Sequence, residues 1–92
     1  MEAGSIQHEE ENGRFVSKLG VATAFLAYEK QGRVIDLYST YVPEAFRGKG
    51  IAGKLVEEAL NYARKNGYMV LPSCPYVAAY IEHHQEHLQL KA

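Results

Sequence analysis

A chain of 92 residues suits one small domain, and one this small buries only ~60–65% of its unfolded surface, so a homo-oligomer would gain stability. Hydrophobic residues make up 47%, with seven Tyr and three Phe, which excludes a disordered chain. The net charge of −1 gives no pull toward nucleic acid or an anionic membrane, and a lone cysteine, Cys74, excludes an internal disulfide and suits a reducing cytoplasm.

The opening "MEAGSIQHEEENG" is acidic and lacks the apolar core of a signal peptide. "IQHEEENGRFVSKL" reads as a short strand, a turn at Asn12-Gly13 and a second strand, since Asn-Gly between extended segments signals a hairpin. Glu9, Glu10 and Glu11 read as a solvated charge run. Gly20 punctuates, and "VATAFLAYEK" follows as a third strand. Its adjacent Phe25 and Leu26 suggest a sheet covered on both faces. It is far short of the ~20 apolar residues that span a bilayer. After a turn at Gly32, "RVIDLYSTYV" is a fourth strand, ended by Pro43. Asp36 lies in its middle, facing either the wet side of the sheet or the substrate cleft.

From Gly50 the period changes. Ile51, Ala52, Leu55, Val56, Ala59, Leu60 and Ala63 form one apolar stripe at helical spacing, closed by Arg64, Lys65 and Gly67. "YMVL" is a short fifth strand, and the helix before it makes a crossover, so strands four and five should run parallel or splay apart. "CPYVAAYIEHHQEH" reads as a final helix, with Ser73 or Cys74 at its cap and Pro75 in its first turn. The order β-β-β-β-α-β-α predicts an α+β (mixed α/β) domain over residues 1–92 with a mostly antiparallel sheet.

"RGKGIAGKL", residues 47–55, fits three phosphate-binding patterns. As a dinucleotide fingerprint, Gly48, Gly50 and Gly53 lack the acidic residue expected about 20 positions on. As a P-loop, Gly48 to Lys54 is followed by Leu55 where a magnesium-binding Ser or Thr is needed. As a third pattern, "YVPEAFRGKGIAGKLVEEAL" supplies a strand end, a Pro-containing turn, an Arg and glycines that open a helix. The bland alternative is a glycine-rich helix start that binds nothing, at up to ~1 kcal/mol lost per glycine.

The third pattern resembles the GNAT superfamily of N-acetyltransferases. Arg47 to Ala52 matches its R/Q-G-x-G-I/L-G/A signature, although Val42 abuts Pro43 directly and one extra residue precedes Arg47. "LPSCPYVAAYIEHHQEHLQL" looks like a small, single-domain GNAT-like subfamily with a Cys just after the fifth strand, in which His84-Gln85-Glu86-His87 replaces a usual His-Pro-Glu-aromatic stretch.

The resemblance implies acetyl-CoA, or coenzyme A, as the cofactor and an amine as acceptor. Backbone amides of Gly48, Lys49, Gly50, Ile51 and Ala52 would cradle the pyrophosphate at a helix N-terminus, with Arg47 shaping the loop or pointing at phosphate and Lys49 adding charge. The pantetheine arm would pair with strand four where the sheet splays, an N–H near Tyr41 or Val42 holding the thioester carbonyl. Tyr76 or Tyr80 would protonate the departing thiolate, Tyr80 lying nearer the family's usual position, and the alternative for both is core packing.

Cys74, with its thiolate favoured at a helix N-terminus, would accept acetyl or line the pocket. His83 and His87 share helical spacing but lack a third ligand, so no metal is expected, while His84 is a candidate base. The expected activity is acetyl transfer to an unidentified amine; the alternative is a coenzyme-A-binding module with little or no transferase activity. A turn stands where larger relatives carry helices between their first two strands, so the acceptor site is shallow, completed by a second subunit, or absent.

Overall fold

A computed structural model describes residues 6–92. The strands are β1 (Ile6–Glu9), β2 (Arg14–Leu19), β3 (Ala22–Gln31), β4 (Val34–Tyr41) and β5 (Met69–Leu71). The helices are α1 (Ile51–Asn66) and α2 (Pro75–His83), and 3-10 turns cover Glu10–Asn12, Glu44–Phe46 and Gln85–Leu90. The element order is the one expected. The five strands lie in sequence order, the first four antiparallel and β5 parallel to β4. No helix among the described residues is long and apolar enough to cross a membrane.

The core lies between one face of the sheet and α1. Phe15, Leu19, Ala24, Leu26, Ile35, Leu37 and Val70 point inward from the strands. Ile51, Leu55, Val56, Ala59, Leu60 and Ala63 meet them from α1, and Val77 and Ile81 from α2. Each larger side chain among these stabilises by ~1.5–3 kcal/mol relative to exposure. Ala52 alone leaves the expected stripe: it is half-buried because it faces a cleft.

Among the described residues, helices cover only one face. β3 alternates between buried and half-buried residues from Ala24 to Tyr28, and Phe25 points away from the core. There it is shielded by the Tyr41 ring, 5.7 Å away, and by the Arg14 guanidinium, 5.9 Å from its centroid. Cover on that face thus comes in part from an aromatic pair and a cation over a ring.

Two other expectations shift. Asn12-Gly13 is no two-residue turn; Glu10–Asn12 wind one 3-10 turn that Gly13 closes. The acidic run is also not simply solvated. Glu9 accepts a bond from Arg14 at 2.8 Å, and Glu10 joins Lys30 and Tyr62. Lys30 donates to Tyr62 at 2.6 Å and sits about 5 Å from the Tyr62 and Tyr68 ring centroids. This cluster fastens the β1–β2 turn to β3 and α1.

Candidate functional site

β4 and β5 share only three register pairs, Val34 with Met69, Ile35 with Val70 and Asp36 with Leu71. The Cys74 amide then donates to the Leu37 carbonyl at 2.9 Å, and beyond it the strands part. The expected splay is therefore present, three residues into the pairing.

β4 also carries a bulge. Tyr28 faces Leu37 but Ala27 faces Ser39, so Tyr38 is the extra residue. A bulge breaks the two-residue period. Ile35 and Leu37 face the core, yet so does Thr40, opposite Leu26, where uninterrupted alternation would have placed Ser39 and Tyr41. Tyr41 accordingly lies on the helix-free face beside Phe25.

Past Pro43, the Glu44–Phe46 turn brings Arg47 back onto the strand end, where its Nε donates to the Val42 carbonyl at 2.9 Å. This bond ties the loop to the strand end. Gly48 and Gly50 have φ of 80° and 79°, in the left-handed region that costs an L side chain ~1–2 kcal/mol. No atom would crowd a Cβ at either position, so the constraint is conformational.

Gly50 is the N-cap of α1 and supplies no side-chain oxygen, and no acidic residue occupies the first turn. The first amides of the helix therefore lack intrahelical and side-chain acceptors and suit a phosphate-sized anion. They open on a cleft of ≈440 Å³. Its walls are Thr40, Val42, Phe46, Arg47, Gly48, Gly50, Ile51, Ala52 and Tyr76.

Seven of the residues singled out from the sequence thus share one cleft: Val42, Arg47, Gly48, Gly50, Ile51, Ala52 and Tyr76. Lys49 is exposed on the loop outside its wall, and the Tyr41 ring lies on the other face.

Cys74 is the N-cap of α2 and is buried behind Thr40, with Sγ 3.5 Å from the Thr40 hydroxyl. Burial pushes its thiol up. Hydrogen bonding to Thr40 and to the Val77 and Tyr76 amides outweighs this and holds it below the ordinary cysteine range.

Tyr80 lies over α1, its ring 3.5 Å from where a Cβ on Gly53 would stand. Its hydroxyl donates to Glu57 Oε2 at 2.5 Å. The same oxygen meets His87 Nε2 at 2.9 Å. Arg64 approaches His87 Nδ1 at 3.0 Å, and a guanidinium can only donate, so Nδ1 accepts and the proton sits on Nε2. Burial would raise the Glu57 carboxyl, but the bonds from Tyr80 and His87 hold it below its usual range. Burial and the Glu57 carboxylate push Tyr80 well above the usual phenol range.

This network corrects the expected final helix. α2 stops at His83, and the Gln85–Leu90 turn swings His87 into the core edge, where it is 2% exposed. His83 and His87 do not share a helix face; His83 bonds the Ala79 carbonyl. Glu57, Glu86 and His87 lie within metal-ligand range of one another, but Arg64 takes up His87 Nδ1 and Glu57 takes up its Nε2. His84 stacks on Tyr80 at 3.9 Å and bonds the Tyr80 carbonyl.

Sequence reading did not find Thr40, Phe46, Glu57, Arg64 or the placement of His87. Only the i, i+4 relation of Gly53 and Glu57, under a helix bearing Tyr76 and Tyr80, hinted at a helix–helix contact.

A sheet split beside an uncapped, glycine-led helix defines a small α+β domain with a cleft at the helix start. The sequence model of the GCN5-related N-acetyl-transferase family matches residues 14–90, and the chain belongs to that family. Protein NATD1 of Gallus gallus is 33% identical over 92 aligned residues, which cover 91% of this chain and 84% of that protein. Protein NATD1 of Mus musculus is 32% identical over 80, covering 84% and 73% respectively. A GCN5-like protein of Staphylococcus aureus, solved by NMR, superposes with a TM-score of 0.78 at 21% identity and covers 100% of this chain and 91% of its own.

Proposed function

We propose that the cleft binds acetyl-CoA and that the protein moves the acetyl group to an amine. The observation that carries this reading is the run from Arg47 to Ala52. Two glycines held at positive φ lead into uncapped helix amides beside a gap in the sheet. The residues fit a diphosphate with a long thioester tail: bare amides at one end, a strand end beyond Leu37, from Tyr38 to Val42, at the other. When bound, the coenzyme supplies an activated acyl group.

The chain's own groups then have distinct tasks. Amides of residues 48–52 hold the pyrophosphate, and Lys49 adds solvent-side charge. Main-chain N–H groups of Tyr41 or Val42 hold the thioester carbonyl. Cys74 and Thr40 border the acyl end, where the thiol either carries acetyl or positions it. Tyr76 shares the cleft wall and is the better placed proton donor for the departing sulfur, because the Tyr80 hydroxyl is committed to Glu57. Tyr80 then acts by holding α2 against α1.

Calorimetry with coenzyme A and acetyl-CoA tests the cofactor. Binding is expected to weaken about tenfold or more in Gly48→Ala and Gly50→Ala, since the loop must distort. No heat from either compound with the native protein would end this reading. Release of free thiol in the presence of a panel of amines tests transfer. Tight binding without turnover on any amine would favour the alternative, a coenzyme-A-binding module.

A further inference from the structure

We propose that the helix-free face of the sheet docks a second copy of this chain, the two sheets packing face to face about a two-fold axis that runs across the strands. This interface stands whatever the cleft binds.

Alternation assigns the face. Phe15, Leu26 and Val70 lie in the core with the helices, so Val16, Phe25, Met69 and Leu71 point the other way. Leu37 faces the core, and the bulge after it turns Tyr38 to the helix-free side together with Tyr41. Tyr38, Tyr41, Met69 and Leu71 are 39–47% exposed. They are four of the seven large hydrophobic side chains that stand out in solvent among the described residues, so exposed apolar surface gathers on this one face.

Its size suits a protein partner. At ~3.3 Å per residue and ~4.8 Å between strands, the five strands present about 500 Å² in projection. Side-chain relief raises the accessible area toward the ~800 Å² that each partner gives to a standard interface. Apolar patches of more than a few hundred Å² are uncommon on a monomer and mark contact sites.

The charges identify the occupant. Lys18 lies on this face opposite Thr23, and Glu29 lies on it six residues further along β3, ~20 Å away. Both are exposed, and neither has an ion pair among the described residues. Between them stand Val16, Phe25 and Ala27, with Arg14 already paired to Glu9. A uniformly basic or acidic partner is repelled at one end of such a face. The same face turned end for end matches at both. A two-fold axis near Phe25 and Ala27 lays Lys18 of each copy toward Glu29 of the other and closes the apolar centre on itself. Two aligned sheets packed ~10 Å apart let their side chains interdigitate as in a sandwich core.

The test is sedimentation equilibrium of the intact chain, followed by exchange of the two end charges. The native protein is expected to approach twice the 10.3 kDa mass of one chain. Lys18→Glu and Glu29→Lys should each weaken association roughly tenfold, because like charges then meet at both ends, and the double variant should restore it. The two side chains are too far apart to pair within one chain, so rescue reports a contact between copies. Tyr38→Glu places a charge in the apolar area and should also weaken association roughly tenfold or more. A monomer mass up to ~1 mM overturns the proposal. So does association that Tyr38→Glu leaves untouched, or a double variant that fails to recover what the single variants lose. Should a variant not fold, NMR of mixed labelled and unlabelled native protein reads the same contact. Cross-peaks between copies are expected at Phe25, Tyr41 and Leu71, and cross-peaks confined to the outer edge of β1 overturn the proposal.

Discussion

At Cys74 two influences oppose each other. Burial disfavours the thiolate, while Thr40 and the first amides of α2 favour it, and the second group wins. Thr40 is the member of that group that can be changed without touching the backbone. Thr40→Val keeps the shape and removes the hydroxyl, so the thiol is expected to titrate at higher pH than in the native protein. Ultraviolet absorbance of the thiolate across a pH series measures this, and an unmoved midpoint would show that the helix amides act alone. The cysteine and its cap position were legible in "SCPY", because Pro at the first helical position marks the cap just before it. Thr40 was not legible, because it reaches the core side only through the Tyr38 bulge.

Elements meet through few polar contacts, and Glu57 carries the densest of them. One carboxylate oxygen on α1 ties down Tyr80 from α2 and His87 from the last 3-10 turn. Glu57→Ala strands the Tyr80 hydroxyl and the His87 Nε2 proton, and is expected to cost about 1–3 kcal/mol in denaturant unfolding. The pH dependence has a definite sign. Glu57 is held below its ordinary range in the folded chain, so its contribution is fully present above the unfolded value near ~4.3. It fades as pH falls through the lower folded value. The native-minus-variant difference should therefore shrink in acid; a difference that stays constant would show that packing, not ionisation, holds α2.

This contact also marks where sequence reading stops. The four antiparallel strands and α1 were readable because local period, turn glycines and the Gly67 cap all agree. The end of α2 at His83 carries no Gly or Pro to announce it. It is set by the pull of Glu57 and Arg64 on His87, a tertiary effect with no fixed spacing. How the second face of the sheet is covered escaped for a like reason, since Phe25 is shielded by Tyr41 and Arg14 from neighbouring strands.

For the molecule as a whole, marginal stability and ligand binding are linked. The core is one layer of α1 and α2 side chains on one sheet face, and a chain of 92 residues can expect only modest net stability from it. The proposed cofactor would bridge elements that otherwise touch little: the strand end of β4, the 47–52 loop and the start of α2. None of these contacts exists in the unfolded chain, so binding must stabilise by mass action. At one hundred times the dissociation constant the gain is ~2.7 kcal/mol. A domain of this size shifts its midpoint by roughly 4–8 °C per kcal/mol. Coenzyme A at that excess should therefore raise Tm by roughly 10–20 °C in calorimetry, and Gly50→Ala should show a smaller rise at the same concentration. An equal rise in both proteins would mean that the ligand sits elsewhere, because only a site built on the uncapped start of α1 depends on Gly50 holding its left-handed conformation.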